Sequence, residues 1–245
     1  MRILSKLLSR GKPERPRCSA VVAAAGSSSR MAGANKLFLP LEGIPVLART
    51  LRALDETELV DEIVVAAREE DLLAIGDLCR TYGVSKPVKI VRGGATRAAS
   101  VLAAAMECRE DAAFIAVHDG ARPLAEPELI AGVIRLAYRT NAAAPAVPVK
   151  DTVKVVQDGK VVSTPDRDTL RSIQTPQVFD AALLRAALQA AVTADVPVTD
   201  DCSAVERMGK EVYLTEGSYE NIKITTPEDM ALAAAILQRR EEMLG

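Results

Sequence analysis

The sequence predicts an α/β protein built on a doubly wound, mostly parallel sheet. Short apolar runs without alternation, at residues 18–25 and 63–67, fit strands buried on both faces. Segments with helical apolar spacing separate them, so strand and helix alternate to about residue 140. Three of the strands end in polar turns that contain glycine, at 26–36, 93–97 and 118–122. Ligands bind at the carboxyl ends of strands in such sheets, so these turns are expected to meet at one cleft.

The first strand, 18–25, stops at Gly26. Pro45 opens a helix over 44–54, with Val46, Leu47, Thr50, Leu51 and Leu54 at helical spacing. A second strand covers 63–67, and a helix over 69–82 stops at Gly83. A third strand, 88–91, passes through Arg92, Gly93 and Gly94 into a helix that reaches Met106. The fourth strand, 113–117, runs into His118-Asp119-Gly120-Ala121-Arg122-Pro123, and a helix covers 127–138.

The alternation breaks at Pro145. Residues 146–149 read as a strand, and 152–162 as two β-rich runs around Asp158-Gly159, a hairpin signal. A lone hairpin is marginal in water, so this one is expected to pack on the main domain or on another subunit. A helix over 178–191 opened by Asp180, a helix over 200–208, short strands at 212–214 and 221–225, and a closing helix over 227–244 complete the reading. Pro227 suits the first turn of that last helix, and Glu228 and Asp229 suit its positive end.

Bulk properties narrow the class. A chain of 245 residues with net charge −2 gives no general reason to bind nucleic acid. Residues 1–17 carry six basic side chains and one acid and read as a poorly ordered basic tail, with 18–245 as one domain. The tail is too short and broken for a signal-peptide core or a bilayer span, so no stable membrane association is expected. Cys18, Cys79, Cys108 and Cys202 show no CxxC spacing and read as reduced thiols of a cytoplasmic protein. One histidine and no cysteine pair argue against zinc.

The turn after the first strand carries the chemistry. Gly26, Ser27, Ser28 and Ser29 leave backbone N–H groups unpaired, and Arg30 and Lys36 add two long cations. This suits phosphate oxygens, yet the stretch is neither GxxxxGK[ST] nor GxGxxG. Asp119 and Arg122 at the fourth strand's end suit substrate contact better than the alternative, a merely internal ion pair. His118 precedes them, and strand alternation turns it to the opposite face from Asp119, which makes it structural rather than a general base.

AAAGSSSRM followed by NK resembles the signature of nucleotidyltransferases that join a nucleoside triphosphate to a sugar or polyol phosphate, with Ser28 for the usual second Gly and Asn35 for the usual Pro. GGATRAASV (93–101), HDGARP (118–123), PVKDTVK (148–154), TPQVF (175–179), VTDDCSAVE (198–206) and NIKITTPEDM (221–230) follow in order. From about residue 18 to 240 the chain resembles the 2-C-methyl-D-erythritol 4-phosphate cytidylyltransferase family. HDGARP differs from the commoner HDAARP at Gly120.

The resemblance implies a Rossmann-like nucleotidyltransferase fold with a protruding β-arm, at about 150–168, for homodimerisation. It implies that Arg30, Lys36 and Lys223 are catalytic, with Gly26–Ser29 amides and Arg30 on the β- and γ-phosphates and the two lysines on the α-phosphate. Ala24, Ala25, Gly93, Gly94 and Ser100 would read cytosine. Asp119, Arg122, Thr175 and Thr199 would hold the acceptor, with Thr152 and Arg167 acting from the neighbouring subunit. Mg²⁺ would sit mainly on the CTP phosphates, with Asp119 a candidate ligand. The family reaction transfers CMP from CTP to methylerythritol phosphate. The alternatives are a CDP-ribitol pyrophosphorylase of the same fold and a non-catalytic nucleotide-binding regulator. No second catalytic domain is read after the first, which points to a single activity.

Overall fold

The computed structural model describes residues 15–26 and 35–244. Strand β1 (Arg17–Ala24) leads through a short 3-10 turn (Lys36–Phe38) and a small ladder, β2 (Pro40–Leu41) and β3 (Ile44–Pro45), into helix α1 (Val46–Glu56). Then follow β4 (Glu62–Ala67), α2 (Leu72–Thr81), β5 (Val88–Arg92), α3 (Arg97–Glu107), β6 (Ala112–Asp119), α4 (Pro127–Thr140) and β7 (Ala142–Pro148). A hairpin of β8 (Val155–Gln157) and β9 (Lys160–Ser163) precedes β10 (Arg171–Ile173) and β11 (Gln177–Asp180). Helices α5 (Ala181–Thr193) and α6 (Asp201–Arg207), strand β12 (Tyr213–Glu216) and helix α7 (Pro227–Leu244) close the chain.

One eight-stranded sheet organises these elements. β1 lies between β4 and β6, β5 flanks β4, and all four run parallel. β11 pairs antiparallel with both β6 and β7, and β12 pairs parallel with β7. Only β10 and β11 run against the rest, so the sheet is mostly parallel. Alternation along β1 sorts the core into two layers. Cys18, Ala20, Val22 and Ala24 pack with apolar residues of α1, α2, α4 and α7, while Val21 packs with those of α3, α5 and α6. Helices therefore cover both faces, which is why the central strands read as continuous apolar runs. Among the described residues no helix is long and apolar enough to cross a membrane. All four cysteines are buried and unpaired.

The structure differs from the sequence reading at several boundaries. Residues 177–180 are a strand, not the opening of a helix. Val178 and Phe179 are wholly buried between β6 and β7, and Asp180 then caps α5 by accepting from Leu183 N at 2.9 Å. So short an apolar run cannot signal helix or strand by periodicity alone. β7 begins at Ala142 and runs through Pro145, whose carbonyl accepts from Gln174 N at 2.8 Å. The ladder loses one donor there and keeps its acceptor. Residues 221–225 form no ladder; Ile224 N donates to Ala121 O at 2.8 Å and pins the segment beside β6. α1 starts at Val46 because Ile44 and Pro45 pair with β2. β10 has no counterpart in the sequence reading.

The β8–β9 hairpin turns at Asp158 (φ 49°) and Gly159 (φ 75°), the two left-handed positions of a type I′ turn. It forms its own two-stranded sheet. Val155, Val156, Val161 and Val162 are 47%, 57%, 62% and 60% exposed. Four valines left to water on one small ladder are an unpartnered apolar surface.

Candidate active site

A cavity of about 440 Å³ opens at the carboxyl ends of β1 and β6. Ala24, Ala25 and Gly26 form one wall, and Lys36 stands beside them. Gly94, Thr96, Arg97 and Ser100 form a second wall; Asp119, Ala121, Lys223 and Thr225 close the third. Ser27, Ser28, Ser29 and Arg30 lie outside the described residues.

The second wall is the start of α3. Thr96 caps the helix by accepting from Ala99 N at 3.1 Å, which aims the positive end of the helix dipole into the cavity. The Ser100 hydroxyl folds back on the preceding turn. It accepts from Gly94 N at 3.1 Å and lies 2.8 Å from Thr96 O and 3.2 Å from Gly94 O. It therefore holds the turn from a place on the cavity wall. Both glycines are required by close approach: a Cβ on Gly93 would meet Ala25 Cβ at 2.6 Å, and one on Gly94 would meet Ala99 Cβ at 2.6 Å.

The third wall is a charge cluster around Asp119, which is 6% exposed. Lys223 Nζ lies 3.0 Å and Arg122 Nε 3.4 Å from its Oδ2, and Arg97 Nη2 lies 3.6 Å from its Oδ1. Burial alone would raise the Asp119 pKa. Lys223, Arg97 and Arg122 together outweigh that and hold it well below the usual carboxylate range. Arg97 also donates to Asp201 Oδ2 at 2.8 Å. Burial raises the pKa of Asp201, with Arg97 opposing. Burial tends to lower the Arg97 pKa, but Asp201 and Asp119 overcome it and keep the guanidinium charged.

Ile224 joins the walls. Its N–H bonds Ala121 O, and its carbonyl accepts from Lys36 Nζ at 2.7 Å. The next residue back is Lys223, so one short segment sets both lysines against the same space. Asn35 supports this geometry. Its side chain accepts from Leu37 N at 3.2 Å and donates to Asp71 Oδ2 at 2.9 Å, fixing the turn that presents Lys36. A proline here would supply neither bond.

Not every expected residue faces the cavity. Arg122 is buried and turned toward Asp119 and the Asn221 carbonyl, to which Nη1 donates at 2.6 Å. Thr199 lines a separate depression with Ser203 and Glu206. Thr152 and Arg167 are exposed on the arm, where Arg167 Nη1 donates to Lys150 O at 3.1 Å. Asp119 makes a poor metal ligand, because three cations already face it. Among the described residues no group of three or more His, Cys, Asp or Glu side chains could hold a metal ion.

Arg97 and Asp201 were not singled out in the sequence, yet a signal exists. An Arg in the first turn of a helix opposes the dipole and demands an acid. The Asp200-Asp201 pair supplies it: Asp200 caps α6 while Asp201 answers Arg97. Gln177 sets that pair by accepting from Asp201 N and Cys202 N, both at 3.0 Å.

His118, the chain's single histidine, is fully buried behind Asp119. Burial lowers its pKa from 6.5 to about 4, against the pull of Asp119. A histidine neutral in the fold and protonated in the unfolded chain gives stability present above about pH 6.5 and lost as pH falls toward 4. Unfolding free energy is expected to drop by about 2 kcal/mol between pH 7 and pH 5. Urea titrations at both pH values check this, and His118→Gln should flatten the dependence.

Comparison with known proteins fits this site. The profile of the 2-C-methyl-D-erythritol 4-phosphate cytidylyltransferase family matches residues 18–239. The chain belongs to that family. A cytidylyltransferase of that name from Bacillus cereus is 44% identical over 218 residues, covering 89% of this chain and 96% of the relative. One from Caldanaerobacter subterraneus is 45% identical over 224 residues, covering 90% and 99%. The crystal structure of 4-diphosphocytidyl-2C-methyl-D-erythritol synthase from Anaerococcus prevotii superposes with TM-score 0.82 at 34% identity, over 91% of this chain and 96% of that one. The cytidylyltransferase structure from Thermus thermophilus superposes with TM-score 0.73 at 32% identity, over 91% and 99%. The doubly wound sheet is thus the fold of the cytidylyltransferase family.

Proposed function

We propose that the cavity between β1, α3 and β6 is where this chain transfers CMP from CTP to 2-C-methyl-D-erythritol 4-phosphate, releasing pyrophosphate. The observation that carries the assignment is that Lys36, Lys223 and the N-terminus of α3 all line one cavity. In the reaction an acceptor phosphate oxygen bonds to the α-phosphorus of CTP as the bond to pyrophosphate breaks. Negative charge builds on the phosphoryl oxygens, and the protein's task is alignment and neutralisation.

Lys36 and Lys223 hold the α-phosphate from two sides. The amides of Gly26, Ser27, Ser28 and Ser29 and the guanidinium of Arg30 take the β- and γ-phosphates. Ala24, Ala25, Gly93 and Gly94 let the backbone approach the cytosine ring, with Ser100 fixing the Gly94 turn. Asp119 directs Lys223 through their 3.0 Å ion pair, and Arg122 neutralises Asp119 from behind.

The reaction of this family depends on a divalent cation. The described residues do not form a cage for one, and the cation-ringed Asp119 does not fit as a ligand. Mg²⁺ arriving on the triphosphate suits this site better than a protein-held ion. The exposed valines of the β8–β9 arm suit a homodimer in which Thr152 and Arg167 reach the neighbouring site. A cytoplasmic enzyme fits the four unpaired thiols.

An acceptor assay tests the function. With CTP and Mg²⁺, methylerythritol phosphate is expected to release pyrophosphate and ribitol 5-phosphate is not. Turnover of ribitol 5-phosphate alone would reverse the acceptor assignment. No pyrophosphate with either acceptor would favour a nucleotide-binding regulator.

A further inference from the structure

Thr175 holds its place for a reason other than acceptor binding. β6 pairs with β11 up to Val117 opposite Gln177. Continued by two residues, that register sets Thr175 opposite Asp119. The ladder does not continue, because the Thr175 carbonyl accepts instead from Asn221 Nδ2 at 3.0 Å. The side chain substitutes for it: Thr175 Oγ1 accepts from Asp119 N at 3.1 Å. The same oxygen lies 3.0 Å from His118 Nδ1. Thr175 is 4% exposed and His118 is 0% exposed, so both are buried.

Counting protons decides the direction of that second contact. The Asp119 amide can only donate, so the Thr175 oxygen accepts there and keeps its own proton. With the imidazole proton on Nε2, the hydroxyl donates to Nδ1, and one polar group, Nε2–H, lacks a partner. With the proton on Nδ1, both the hydroxyl proton and the Nε2 lone pair lack partners. Nε2 has no hydrogen-bond partner among the described residues, so neither arrangement rescues it. Each unmatched buried group is costly, and the first arrangement leaves fewer. Burial keeps the ring neutral, as either arrangement requires.

We propose that Thr175 is a positioning residue: its hydroxyl links the Nε2–H form of His118 to the Asp119 amide and so holds the Asp119 carboxylate at the meeting point of Lys223, Arg97 and Arg122. The inference rests on the reading of this cavity as the reaction site. It removes Thr175 from the acceptor's ligands and gives His118 a task at the site without contact with substrate. The turn that begins β11 and the end of β6 become one unit. Displacing the hydroxyl moves a carboxylate whose charge is matched by three cations.

Nitrogen-15 NMR of the uniformly labelled protein without substrates tests the link, since the one histidine gives one pair of ring signals. Nδ1 is expected to be unprotonated and hydrogen-bonded in the unaltered protein. Thr175→Val should abolish that hydrogen bond and lower kcat by about 10²-fold at little-changed acceptor KM, as for misplacement of an active-site group. Thr175→Ser should recover both the NMR signature and most of kcat. A proton on Nδ1 in the unaltered protein, or a Thr175→Val defect confined to acceptor KM, overturns the proposal. Should Thr175→Val not fold, the spectra of the unaltered protein and of Thr175→Ser still decide it. The spectra need no turnover, so they stand apart from a failure of the unaltered protein to release pyrophosphate, which would count against the site itself.

Discussion

Lys36→Ala is expected to lower kcat for CMP transfer by about 10²-fold or more, with a smaller change in the KM for CTP. The magnitude follows from removing one fixed donor at the place where transition-state charge develops. Ground-state binding should suffer less, because Lys223 and the N-terminus of α3 still face the triphosphate. The fold should survive. Lys36 Nζ donates to the Ile224 carbonyl at 2.7 Å, and losing one such bond costs about 1 kcal/mol. The 3-10 turn itself keeps its cap from Asn35. Steady-state kinetics with both substrates varied, beside a thermal melt, separate these effects. A loss confined to the CTP KM, with kcat retained, would assign Lys36 to uniform binding instead.

Much of this arrangement is legible in the chain. The unalternating runs of β1, β4 and β6 mark strands covered on both faces, and the helices on either side answer that. Gly93 and Gly94 mark a backbone packed so closely that an added Cβ would stand 2.6 Å from the Cβ of Ala25 or Ala99. Other features depend on pairings far apart in sequence. Val178 and Phe179 have apolar character suited to either state, and only insertion between β6 and β7 makes them a strand. The partnership of Arg97 with Asp201 spans 104 positions, so the local pattern shows that Arg97 needs an acid but not which one. Arg122 carries the charge expected of a phosphate ligand, but the Asn221 carbonyl and Asp119 turn it inward. Thr175 belongs to a motif, while its bonds to His118 and the Asp119 amide are set by a register that stops two residues early.

The arm carries the second large effect. Arg167→Ala is expected to reduce turnover of methylerythritol phosphate by about 10²-fold if its guanidinium aligns the acceptor in the neighbouring site. Its place supports that reading. Arg167 sits in an exposed 3-10 turn at the base of a hairpin whose valines have no cover in one chain, and its guanidinium reaches only as far as the Lys150 carbonyl in its own arm. Docking the arm across a two-fold axis would bury those valines and carry Arg167 to a second cavity. Mixing Lys36→Ala and Arg167→Ala proteins under subunit exchange tests the geometry. Each mixed dimer then has one site with an intact Lys36 and an intact arm from its neighbour, and one site with neither. Equal mixing makes half the dimers mixed, so activity should return to about a quarter of the unaltered level. An arm serving its own cavity gives the opposite result, because every site then retains one lesion. Proven exchange without recovered activity would therefore place Arg167 in its own subunit's site, and the exposed valines would need another partner.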